Sequence, residues 1–63
     1  MPYYARAAEI VARWRVVARQ FESEENPETS AALSLELAQL RRSYQFVVQA
    51  AHADHKLIPP FPY

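Results

Sequence analysis

Apolar side chains recur along this chain at two alternating steps, four residues and then three, in two separate stretches. The first stretch carries Tyr3, Ala7, Ile10, Trp14, Val17 and Phe21; the second carries Leu33, Leu37, Leu40, Tyr44, Val47 and Ala51. Residues so spaced fall on one stripe of an α-helix, and a mean step of three and a half lets two stripes stay in contact along their length. Between the stretches lies Asn26-Pro27-Glu28, a helix-start signal: Asn caps, Pro suits the first turn, and Glu faces the positive end of the dipole. Thr29 is a rival cap. The pattern predicts helix 1 over residues 3–24, a turn over 25–27, and helix 2 over 27–56.

Breakers agree with these bounds. Glycine is absent, and Pro2, Pro27, Pro59, Pro60 and Pro62 all stand outside the interiors of the stripes. Leu57, Ile58 and the Pro59-Pro60 pair are expected to stop helix 2, leaving residues 1–58 as a helical hairpin and 59–63 as a tail of proline and aromatic residues. A turn at 26 and 27 implies an antiparallel register whose paired positions sum to about 54, setting Trp14 against Leu40 and Ile10 against Tyr44. Arg13 then shares a flank with Glu36, and Glu9 precedes Arg13 by one turn. The expected fold class is all-α: an antiparallel two-helix hairpin pairing into a homodimeric four-helix bundle.

The expectation of a second copy rests on size and on leftover surface. A single core in 63 residues rarely supplies more than ~3 to 5 kcal/mol, and the absence of cysteine removes disulfides and thiolate metal sites as staples. Tyr4, Val11, Ala18 and Val48 form a strip beside the seam that a lone hairpin leaves wet, so they are the expected dimer interface. The abundant alanines would allow close helix approach.

Charge narrows the choice of partner. Seven basic and seven acidic side chains cancel, which argues against binding that depends on a uniform positive field. The alternative, a nucleic-acid-binding dimer, would draw on Arg6, Arg13, Arg15, Arg19, Arg41 and Arg42. Its architecture is similar to the Rop type of small RNA-binding helical hairpin, a likeness of shape without a shared motif. Arginine and alanine abundance suggests a bacterial or phage source. The chain start lacks a secretory pattern and no apolar run reaches the ~20 residues needed to span a bilayer, so a cytoplasmic location is expected.

Chemistry-bearing residues are sparse. His52 and His55, three apart on a helix, could offer two imidazoles to one metal, but histidines near the negative end of a helix dipole are ordinary, and no metal or other cofactor is expected. Ser23, Ser30, Ser34 and Ser43 have no histidine within helical reach, so an enzyme is not expected. Phe46 lies off the seam, and Leu57, Ile58, Phe61 and Tyr63 form an apolar end held extended by prolines. These five are the expected contacts to a larger protein, which the chain would regulate, adapt or inhibit without catalysis. The same tail could instead fold back, covering Tyr3, Tyr4 or Phe46.

Overall fold

The computed structural model describes residues 2–63 and contains two α-helices packed antiparallel, α1 (Tyr3–Ser23) and α2 (Pro27–Ala53). The described residues contain no strand. Asn26 caps α2 as its side chain suggests: Oδ1 accepts from the backbone N–H of Glu28 at 2.9 Å and of Thr29 at 3.3 Å. Glu24 braces the turn from the other side, its carboxylate accepting from the N–H of Asn26 at 3.0 Å. Pro27 enters the first turn, where a missing N–H costs nothing.

Burial follows the two stripes. Ala7, Ile10 and Val17 of α1 and Tyr44, Val47 and Ala51 of α2 are buried; Tyr3, Trp14, Leu33, Leu37 and Leu40 are half-buried. Phe21 is the exception, 37% exposed beside the turn, where a hairpin has nothing left to lay over it. Arg13 and Glu36 meet across the helices with a guanidinium N to carboxylate distance of 3.0 Å, as the register requires. Glu9 pairs with Arg6 at 3.5 Å rather than with Arg13, whose guanidinium is already held by Glu36. Both pairs are exposed and contribute little to stability.

The larger departure lies at the end of α2. The helix stops at Ala53, not near Lys56, because the chain closes on itself: the N–H of His55 donates to the His52 carbonyl at 3.0 Å and that of Lys56 to the Ala51 carbonyl at 2.8 Å. This is the Schellman arrangement, which needs a left-handed residue at the position after the cap. His55 fills it with φ 59° in place of the usual glycine. The left-handed residue turns the chain back along the hairpin. Residues 57–63 then run along α1 toward the Asn26 turn, so the tail covers its own helices and does not project.

Candidate functional site

The tail lies in a groove beside the helix seam, against Tyr4, Trp14 and Arg15 of α1 and Arg41 and Tyr44 of α2. Two residues of α1 and two of α2 hold the tail by polar contacts. The Tyr4 hydroxyl donates to the Leu57 carbonyl at 2.7 Å, and the Tyr44 hydroxyl donates to the Pro59 carbonyl. Arg41 donates to the Tyr63 carbonyl, and Arg15 Nε donates to the Tyr63 hydroxyl. Proline offers no N–H, so a segment this rich in proline is grasped by its carbonyls.

Between those contacts the rings interlock. Phe61 meets Trp14 edge-on, 5.4 Å between centres at 76°, and Tyr44 likewise, 5.2 Å at 69°. Tyr63 lies flat on Trp14, 4.7 Å away at 9°. Both are favoured arrangements of rings with negative faces and positive edges. The Arg41 guanidinium carbon stands 5.0 Å from the centre of Phe61. That of Arg15 is 5.6 Å from the centre of Tyr63, and since Nε bonds the hydroxyl, the charge sits toward the hydroxyl end of the ring.

The structure sorts the expected contact residues into different places. Of the partner set, Ile58 and Phe61 are half-buried against the cluster of Ala7, Ile10, Tyr44 and Val47, whereas Phe46 is 72% and Leu57 78% exposed, and Tyr63 is half-exposed. Of the lateral strip, Val11 and Val48 are half-buried against that same cluster together with Ile58 and Phe61, Ala18 is half-buried, and Tyr4 is exposed with its hydroxyl bonded to the tail. The chain's own tail therefore lies beside Tyr4, Val11 and Ala18 of the strip that called for a second copy. The tail folds back, but Phe61 and Tyr63 pack on Trp14 and Tyr44 and not on Tyr3, Tyr4 or Phe46; Tyr4 stays 58% exposed and meets the tail only through its hydroxyl.

The basic side chains divide too. Arg6 and Arg13 are paired with Glu9 and Glu36 and Arg41 is held on the Tyr63 main-chain oxygen, whereas Arg15, Arg19 and Arg42 form no ion pair among the described residues. His52 stays in the last turn of α2 while His55 has left the helix in a left-handed conformation, so the two do not share a helical face. Among the described residues no group of three or more His, Cys, Asp or Glu could hold a metal ion. Where α1 begins, the Tyr3 hydroxyl donates to an Asp54 carboxylate oxygen; this bond, with lesser contributions from burial and the negative charge, raises the phenol above its usual value. Asp54, the next seam position after Ala51, thus closes the hydrophobic stripe with a polar pair.

No protein-family model, curated protein or solved structure matches this chain. Among the described residues, no helix is long and apolar enough to cross a membrane.

Proposed function

We propose that this chain is a non-enzymatic binding protein that docks on a larger protein and modulates it, with the outer face of α2 as the docking surface. The observation that carries the reading is Phe46, 72% exposed on a helix whose other aromatic residue, Tyr44, is buried. Leu35, 60% exposed, lies three turns earlier on the same outer face. Positions 35, 39, 42 and 46 repeat the seam's own steps of four and three, so a partner helix could lie along them. Gln39, Arg42 and Ser43 border an open hollow beside Phe46 that would take a partner side chain. Ser23 gives its hydroxyl to the carbonyls of Arg19 and Gln20, a structural use that fits a protein without catalysis.

The test is a photoreactive phenylalanine analogue placed at position 46 and, separately, at Val16, which is 48% exposed on α1. In source cells position 46 should crosslink to one larger protein and position 16 should not. The same products from both sites would count against the reading. A homodimeric four-helix bundle belongs to this proposal with a condition: two copies can pair through Tyr4, Val11, Ala18 and Val48 only if their tails leave. Sedimentation should then show stronger self-association for Tyr63→Ser than for the wild type.

A second reading, nucleic-acid binding, is favoured by Arg15, Arg19 and Arg42, which form no ion pair among the described residues. Binding through them would fall steeply with salt, since each phosphate neutralised releases counterions. Affinity for an RNA hairpin that is unchanged between low and physiological salt would eliminate it.

A further inference from the structure

The contacts that hold residues 57–63 are of one kind. Hydroxyls and guanidinium groups from both helices donate to the tail's carbonyls and to the Tyr63 hydroxyl, and aromatic walls receive Phe61 and Tyr63. None of them depends on the covalent link through residues 54–56. Pro59, Pro60 and Pro62 pre-set an extended backbone with little entropy left to lose, the property that makes proline-rich segments good ligands for aromatic grooves.

We propose that the groove between α1 and α2 is a recognition site for an extended Pro-Pro-aromatic-Pro-aromatic segment presented by another protein chain, with residues 57–63 as its exchangeable resident. The resident's fit demonstrates the chemistry: donors for carbonyls, Trp14 and Tyr44 for an aromatic wedge, and Arg41 beside the wedge. Its hold is shallow. Leu57 is 78% and Tyr63 50% exposed, and an open hollow of about 310 Å³ remains where Pro59 faces Tyr4, Val11 and Ala12. Exposed contacts of this kind open before the helix seam does. The route out is short, since a single left-handed turn at His55 joins the segment to α2 and only the groove contacts above hold the rest. The surface is separate from Phe46 and does not rest on that reading.

The test uses the full chain carrying Phe61→Ser and Tyr63→Ser, titrated with the peptide Leu-Ile-Pro-Pro-Phe-Pro-Tyr. Trp14, the sole tryptophan, is the fluorescent reporter because it lies under both replaced rings. Saturable binding is expected, at least tenfold tighter than to the wild type, whose own tail competes. Adding Tyr4→Phe or Arg41→Gln should weaken it several-fold with helical content unchanged, and Phe46→Ser should leave it unchanged. No saturable response from a variant with wild-type helicity, or equal binding of a scrambled peptide, would overturn the proposal. If the double variant loses helicity, the wild type decides: millimolar unlabelled peptide should displace the tail of isotope-labelled protein and move its Phe61 and Tyr63 resonances with saturation, and unmoved tail resonances would overturn the proposal.

Discussion

The Tyr63 ring lies parallel to the Trp14 indole, 4.7 Å between centres and 9° from coplanar, joining the tail to the middle of α1. Trp14 is thereby covered by two tail rings, Tyr63 lying flat on it and Phe61 meeting it edge-on. Tyr63→Ala should therefore cost roughly 0.5 to 1.5 kcal/mol, the range for an aromatic pair beyond its area. Trp14 emission should move to longer wavelength while far-ultraviolet circular dichroism stays put. Unchanged emission would mean that the stack does not form in solution.

Ile10, 2% exposed, is the largest fully enclosed side chain of α1 beside Val17. Ile10→Ala should cost about 2 to 5 kcal/mol, comparable to all the stability a core of this size holds. A thermal melt within a few degrees of wild type would show that the seam is not where the fold is held.

Asn26 accepts from two N–H groups that would otherwise be orphans. Asn26→Ala should cost about 1 kcal/mol, whereas Asn26→Asp keeps the acceptor and adds a charge favourable to the dipole. The two variants should separate in denaturant midpoint, with Asp at or above wild type.

His55, at φ 59°, occupies a conformation that costs an L-residue with a Cβ about 1 to 2 kcal/mol. Glycine carries no such penalty but is freer when unfolded, so His55→Gly should give a net gain of about 0.5 to 1 kcal/mol. A lower melting temperature would indicate that the imidazole makes a contact of its own.

The Tyr3–Asp54 bond fixes a direction for alkaline behaviour. The phenol is raised from its usual 10.0 in the folded chain, so its contribution is fully present below pH 10 and is lost as pH rises through the higher folded value. Chemical denaturation between neutral pH and pH 11 should show a loss in the wild type that Tyr3→Phe does not share. Parallel curves for the two proteins would dismiss the bond as a stabilising element.

The hairpin was legible in the sequence because its determinants are local and repeated. Twelve stripe positions, the Asn26 cap, Pro27 at the first turn and helix interiors free of Gly and Pro all point to one answer. The Arg13–Glu36 pair followed from register alone. The end of α2 was harder, because the stop is made by backbone carbonyls of Ala51 and His52 with a histidine where glycine is usual. Aspartate, asparagine and histidine are enriched in the left-handed region, a signal too common in helix ends to mark this one.

What the sequence by itself determined, then, is that two amphipathic helices form and that their stripes face one another across the Asn26-Pro27 turn. Only tertiary structure decided where the tail goes. An extended proline-rich segment makes no hydrogen bonds of its own, so its direction depends on one backbone torsion, at His55, and on contacts made with residues distant in the chain. Tyr4 with Leu57, Tyr44 with Pro59 and Trp14 with Tyr63 leave no periodic trace. That choice lays the tail beside Tyr4 and Val11 of the lateral strip and leaves Phe46 on the outer face of α2.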